Sequence, residues 1–305
     1  MAVVGRAKEA PELRREAEAV KRFYDSFGWQ KDQHGLYKDT AAFVDTRAVL
    51  DWYSHATNMR VSCFFAGGKY FLDAGSGAIA YPEYLRYSSG YERRVCVDIS
   101  ETALGEARSK LGEKGWYVLA DLAHLPFRDG VFDATISAHV LYHVPKEDQH
   151  SVILELCRAL APKGVCVVIY SQFTSLLHLI PAPLRRTGKI LRPAFVKLKF
   201  LISKGHRQRD EDKGISDSVP ALYAYAYDIG WFRRILPLGW SVDVRSWRSV
   251  DADFTKRFIP NNLLGRYTMK LIFLLETLFP WALARIGYQM IIIRKASPMH
   301  TGDRG

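Results

Sequence analysis

Gly75, Gly77 and Ala80 stand just after a short apolar run, Tyr70-Phe71-Leu72, that ends in Asp73. Gly75 permits a tight turn between a strand and a helix, and Gly77 lets the backbone approach a ligand closely. The three positions satisfy the spacing G-x-G-x-x-G/A, which alone is a weak signal. Asp98 strengthens it. This acid ends the next apolar run, Arg94 to Val97, and can accept hydrogen bonds from both hydroxyls of a ribose. Strand, glycine turn, helix, strand and acid in that order point to a nucleoside cofactor. The plainer alternatives are a tight strand–helix turn at the glycines and a helix cap at Asp98.

Asp73 bears on which cofactor. A carboxylate at the mouth of the loop repels a dinucleotide pyrophosphate. It attracts the sulfonium and ammonium groups of S-adenosylmethionine, which carries no phosphate. The chemistry therefore favours the methyl donor over NAD. If the acceptor must lose a proton, a base is needed, and His139 and His143 are the candidates. Four residues apart on a helical turn, they would share one face, with Tyr142 between them. A structural or surface role is the alternative for each. As metal ligands the pair is incomplete without a third, so no metal is expected.

The elements that must position these groups alternate from about Lys69 onward. Further apolar runs at Trp116 to Ala120 (ending in Asp121), Phe132 to Ala138 and Val165 to Tyr170 read as strands buried on both faces. Ser100 can cap a helix carrying Leu104, Ala107 and Leu111, and Lys146 to Leu160 has helical spacing. Later segments read as a helix at Ile229 to Leu236, a strand at Trp240 to Trp247, an amphipathic helix over 262–279 and a strand at Tyr288 to Arg294. Residues 9–66 look helical. The expected division is an N-terminal helical cap (1–66), a cofactor-binding Rossmann-like core (67–172), a basic amphipathic insertion covering the substrate (173–227), completion of the core sheet (228–295) and a flexible tail (296–305).

The chain has 305 residues, 48% hydrophobic and 13% aromatic, which excludes a disordered chain. Four cysteines and no CxxC pair exclude a disulfide scaffold and a cysteine-rich zinc site. No secretory signal or spanning helix is evident, so the expected compartment is the cytoplasm. Net charge is +11. The stretch from Leu156 to Arg209 carries eleven Lys/Arg and no acid, with apolar residues interleaved around Arg185, Arg186, Lys189 and Arg192. That pattern suits anionic lipid head groups at the inner membrane face, or a phosphorylated substrate; a solvated basic helix is the bland alternative.

The segments LDAGSG, VDIS, LADLAHLPFRDGVFDATIS, LYHVP and LCRALAPKG together resemble the class I S-adenosylmethionine-dependent methyltransferases. The subgroup they look most like is the ubiquinone/menaquinone-type small-molecule enzymes. The resemblance covers residues 69–172 well and 228–294 more loosely. It implies an α/β, Rossmann-like, doubly wound fold: a seven-stranded, mostly parallel sheet with the last strand antiparallel, N-terminal helices and a helical insertion after strand five. It also implies residue roles. Asp73, Gly75 and Gly77 would surround the methionyl part, and Asp98 the ribose. Ile99 would pack on the adenine, and Asp121, with Leu122 beside it, would accept from the adenine amino group. Ser137 and Ala138 would line the methionyl side. His143 is favoured over His139 as the base, and Tyr24 with Trp29 would close over the cofactor. One departure stands out. Ile79 occupies the usual place of a third glycine, and Tyr81-Pro82 delays the next helix.

The expected activity is methyl transfer to oxygen or carbon of a lipophilic or lipid- or glycan-linked acceptor. A quinone precursor, a lipid-linked sugar and a polyketide-like product are all compatible. The alternatives are an NAD(P)-dependent oxidoreductase and a non-catalytic membrane-surface binder retaining the fold. RNA methylation, and nucleic acid as a partner, are disfavoured: the fourth strand ends in SAHVLYH rather than an Asn/Asp-Pro-Pro-Tyr run. Oligomeric state stays open.

Overall fold

The apolar runs pair into one seven-stranded sheet in the computed structural model, which describes residues 14–172, 220 and 222–295. The strands are β1 Gly68–Ala74, β2 Tyr91–Asp98, β3 Gly115–Leu119, β4 Phe132–Ala138, β5 Leu160–Ser171, β6 Trp240–Arg248 and β7 Tyr288–Lys295. Their order is β3-β2-β1-β4-β5-β7-β6. Strands β1 to β5 pair in parallel, and β7 lies antiparallel between β5 and β6. This is the expected Rossmann-like, doubly wound α/β arrangement.

Continuous apolar runs suit this sheet because both faces are covered. Along β5, Cys166, Val168 and Tyr170 join one core, while Val165, Val167 and Ile169 join the core on the other face. The first core also takes Val152, Ile153 and Leu156 of helix Gln149–Ala159, and Trp231 and Phe232 of helix Ile229–Ile235. Helix Glu101–Leu111 seals the other side of β2 by packing Leu104 and Ala107 on Cys96. Its expected cap is present: the Ser100 hydroxyl accepts from the Ala103 amide at 3.0 Å.

Three expectations change. Residues 14–66 hold shorter helices than the composition suggests, Arg15–Phe23, Lys38–Phe43 and Asp51–Arg60, with single turns between them. Gly35, at φ +78°, turns the chain between the first two. Strand β5 begins at Leu160, five residues early, because Leu160 pairs with Phe132 before the register shifts to Val165 opposite Ala134. An unforeseen helix spans Ala252–Phe258, capped by Asp251, which accepts from the Phe254 amide at 2.8 Å. The basic stretch 173–219 and the tail 296–305 lie outside the described residues, so of the expected insertion only residue 220 and residues 222–227 are described.

The helix Leu263–Leu278 has an inverted amphipathic pattern. Its most regular apolar stripe is the exposed one: Leu264, Tyr267, Leu271, Leu274 and Leu278 are each at least 50% exposed. The inward face holds Gly265, Met269 and the one acid, Glu276. That carboxylate accepts from Tyr53 Oη, the Ser249 amide and Ser249 Oγ, each at 2.7 Å, and from Arg60 at 3.2 Å. A buried charge is tolerable only when paired and hydrogen-bonded in this way, so Glu276 fixes which face turns inward. No helix among the described residues is long and apolar enough to cross a membrane.

Candidate functional site

A cavity of about 420 Å³ lies over the carboxyl ends of β1, β2 and β4, where the strand order reverses. Open α/β sheets bind ligands at that switch point. The glycine loop forms one wall. Gly75 (φ +74°) and Ser76 both donate their amides to Val97 O, at 2.8 and 3.1 Å, which ties the loop to β2. A side chain at Gly75 would collide with Val140, and one at Gly77 (φ +53°) would come within 2.7 Å of the Trp29 ring. The next residue to turn, Ile79, has φ +49°. That is costly for a β-branched side chain, and it takes the conformation expected of the missing glycine. Pro82 then opens the helix Pro82–Arg86, as the late start implied.

Asp98 sits at the end of β2 and anchors this loop. One carboxylate oxygen accepts from the Gly77 amide and the other from the Ser100 amide, both at 2.9 Å. Burial raises its pKa to about 6 against those hydrogen bonds, with Asp73 and Asp25 adding to the rise. Ile99, Asp121, Leu122 and Ala138 also line the cavity. Asp121 does two things at once: it lines the wall and caps the turn Leu122–His124 by accepting from the Ala123 amide at 2.9 Å.

The N-terminal aromatics reach the same cavity. Trp29 stacks on Tyr24 with ring centroids 5.0 Å apart, and both line the wall. Trp29 Nε1 is buried with no protein partner. A donor left unpaired next to the glycine loop fits an acceptor atom on a bound ligand. This aromatic pair and the tight cradle at Gly77 are compatible with an adenosyl-methionine ligand.

Two expected residues do not reach the cavity. Asp73 is 4% exposed and turned into the sheet, where the Arg94 guanidinium holds its carboxylate through Nε at 3.0 Å and through Nη2. Its charge is neutralised there, so it cannot select between a cationic and a phosphate-bearing cofactor as the sequence suggested. Ser137 is 1% exposed, and its hydroxyl has no partner. Strand alternation turns it away while its neighbour Ala138 lines the wall.

His139 and His143 both line the cavity, but not from one face of a helical turn. His139 leaves β4 in a left-handed conformation, φ +64°, and packs on Trp247 and Tyr288. His143 ends the 3-10 turn Leu141–His143. Its Nδ1 lies 2.7 Å from Tyr223 O, a carbonyl that can only accept, so Nδ1 carries the proton and Nε2 is free to take one. Burial lowers the pKa of His143 to about 4, against the Tyr223 carbonyl. It lowers His139 to about 3, helped by Arg248 and by His143. Both rings are therefore neutral at pH 7.

The rest of the wall was not foreseen. Tyr53, Tyr81, Tyr84, Trp247, Arg248, Tyr288 and Asp39 are part of it. Arg248 donates to Thr57 Oγ1 at 2.8 Å, Asn58 Oδ1 at 3.0 Å and Ser54 O at 3.3 Å, and stacks on Trp247. All these partners are neutral, so its charge is uncompensated by them. A usable signal existed. β6 runs parallel to β5, so its carboxyl end, at Trp247 and Arg248, falls on the ligand edge, and antiparallel β7 starts there with Tyr288.

Asp39 has its pKa raised to about 6 by burial alone. The unfolded value, 3.8, is lower, so ionisation in the folded state costs stability as pH rises through 6, and nothing is lost below 4. Asp39→Asn is therefore expected to raise stability by about 1–3 kcal/mol at pH 8 and to leave it unchanged near pH 4. Melting curves at the two pH values check this; equal gains at both would show that Asp39 is not strained by its charge.

The segment 72–168 matches the family described as a methyltransferase domain. Malonyl-[acyl-carrier protein] O-methyltransferase from Geobacter sulfurreducens is 35% identical over 96 residues, which span 31% of this chain and 34% of that protein. The chain thus matches about a third of the length of that curated relative. Among solved structures, phosphoethanolamine N-methyltransferase 1 of Haemonchus contortus has a TM-score of 0.55 at 11% identity, covering 96% of this chain and 52% of its own. DhpI, solved with S-adenosylhomocysteine, has a TM-score of 0.51 at 14% identity, covering 94% and 100%. The [4+2]-cyclase SpnF reaches 0.50 at 14% identity, covering 96% and 100%. These likenesses establish the fold. Residues 72–168 match the methyltransferase-domain model, and Gly75, Gly77, Asp98, Asp121, His139 and His143 all fall within that match.

Proposed function

We propose that the protein transfers the methyl group of S-adenosylmethionine to oxygen or carbon of a small-molecule acceptor, lipophilic or linked to a lipid or glycan. The observation that carries this is a single cavity with two kinds of wall. Gly75, Gly77, Asp98 and Asp121 supply one kind, and Tyr53, Tyr81, Tyr84, Trp247, Arg248 and the two histidines supply the other. A shared cavity is what an in-line displacement needs, since holding donor and acceptor together supplies much of the rate.

When bound, S-adenosylmethionine supplies an electrophilic methyl on a sulfonium. Asp98 would accept from the ribose hydroxyls, with Ile99 and Leu122 against the adenine and Asp121 accepting from its amino group. Gly75 and Gly77 would let the backbone pass the methionyl part beside Ala138. Tyr24 and Trp29 would exclude water from above. His143 Nε2 is the group suited to take a proton from an acceptor hydroxyl, with His139 as the second ring on the same cavity. Asp39, a stronger base than either ring, is a third candidate that the sequence did not suggest. Arg248, with neutral partners, favours an acceptor bearing an acidic or carbonyl oxygen. An O-methyltransferase relative agrees with that chemistry. A quinone precursor, as the resemblance to quinone-pathway enzymes suggests, also carries such oxygens. The nicotinamide alternative has nothing in its favour beyond the shared glycine turn.

Calorimetric titration with S-adenosylmethionine, S-adenosylhomocysteine and NADH tests the reading. Binding of the first two but not of NADH is expected; binding of NADH alone would overturn it. Once an acceptor is found, Arg248→Gln should raise its KM while the cofactor titration stays unchanged.

A further inference from the structure

We infer that the helix Leu263–Leu278, with the turn that follows it, seats the protein on an anionic lipid surface. This goes beyond the proposed reaction and does not depend on it. The stripe formed by Leu264, Tyr267, Leu271, Leu274 and Leu278 is exposed, and Trp281 extends it at 62% exposure. A run of large apolar side chains at helical spacing on the outside of a folded chain calls for an occupant.

Charge selects that occupant. Between residues 260 and 286 the exposed charged side chains are Arg266, Lys270 and Arg285, all cationic. The single acid of the segment, Glu276, is buried in its bonds to Tyr53, Ser249 and Arg60, and the one acid bonded to this face from outside the segment, Asp243, accepts from Trp281 Nε1 at 3.1 Å and is paired with Arg245 at 2.7 Å, so the net charge along the stripe is positive. A second copy docking face to face would bring two cationic rims together, with Asp243 already paired to Arg245 of its own strand. Residues 173–209 of this chain would do the same, since they carry Lys and Arg and no Asp or Glu. Anionic head groups suit the rim, and acyl chains suit the leucines. Trp281 and Tyr267 are the amphipathic rings that favour the boundary between the two. At 16 residues the helix spans about 24 Å, so it would lie in the interface rather than cross it.

The placement also serves the cavity. The inward face of this helix packs through Met269 on Val49, Leu50, Tyr53 and Val250, and Leu50, Tyr53 and Val250 line the cavity. The lipid-facing element and the acceptor wall are thus two sides of one small core.

The test is cosedimentation of the full chain with phosphatidylcholine vesicles, with and without phosphatidylglycerol. Binding is expected to rise with phosphatidylglycerol. The triple variant Leu271→Ser, Leu274→Ser, Leu278→Ser should bind at least about tenfold more weakly with unchanged circular dichroism, and Arg266→Gln with Lys270→Gln should lose most of the dependence on phosphatidylglycerol. If the triple variant does not fold, quenching of tryptophan fluorescence by brominated lipid, weaker in Trp281→Phe, reads the same contact. No vesicle binding by the native chain would overturn the inference, as would full binding by the triple variant. So would a solution dimer that the triple variant dissociates, which would make a second copy the occupant.

Discussion

Asp98→Ala is expected to weaken binding of S-adenosylmethionine and of S-adenosylhomocysteine by about 1–3 kcal/mol, or about fivefold to more than a hundredfold. Two losses combine. The ribose hydroxyls lose a charged acceptor, and the Gly77 and Ser100 amides lose the carboxylate that holds them at 2.9 Å. Asp98→Asn separates the terms, since it keeps the size and one acceptor oxygen and removes the charge. The carboxylate, with a pKa of about 6, is the form that accepts both hydroxyls, so affinity in the native chain should fall as pH drops through 6. In Asp98→Asn that pH dependence should vanish. Calorimetry on the three proteins at two pH values decides; an unchanged affinity in Asp98→Ala would remove the ribose assignment.

Arg94→Ala should cost about 3–5 kcal/mol of folding stability, more than any surface change, because it leaves Asp73 buried without its counter-charge. Arg94 is 2% exposed on β2, directly beside β1, and its Nη1 also donates to Tyr84 O at 2.5 Å. Burial alone would push the guanidinium pKa down; the Asp73 carboxylate outweighs it and holds it up. The pair needs both members, so Arg94→Met with Asp73→Leu should recover much of the loss. Urea unfolding of the single and double variants gives the comparison. A loss below about 1 kcal/mol in the single variant would mean that water or a local shift satisfies Asp73.

The Arg94–Asp73 pair also shows where reading the sequence stops. Both residues were visible, each at the edge of an apolar run, and the glycine turn was placed correctly. Their contact depends on register: parallel pairing sets Arg94 beside Phe71 and Cys96 beside Asp73, and no local pattern states which strands will be neighbours. The strands themselves were legible because a sheet buried on both faces demands unbroken apolar runs. Gly75, Gly77, Asp98 and Asp121 were legible because the turns that position them are local. Tyr53, Trp247, Arg248 and Tyr288 were not, since they meet only after segments some two hundred residues apart come together. The stripe on helix Leu263–Leu278 misleads for a different reason. Periodicity reports that a helix has an apolar face but not which way it turns, and here Glu276, through its tether to Tyr53 and Arg60, decides.

The position of β7 has a consequence for synthesis. Among the seven strands it is made last, yet it lies inside the sheet, bonded to β5 on one side and β6 on the other. Until β7 is in place, β5 keeps one open edge and β6 has no partner at all, and an open edge is a template for pairing with another chain. Met290, Ile291, Ile292 and Ile293, each nearly inaccessible in the finished fold, are missing from both cores for the same interval. The nascent protein would therefore depend on chaperone cover over β5 and β6 until its final strand arrives.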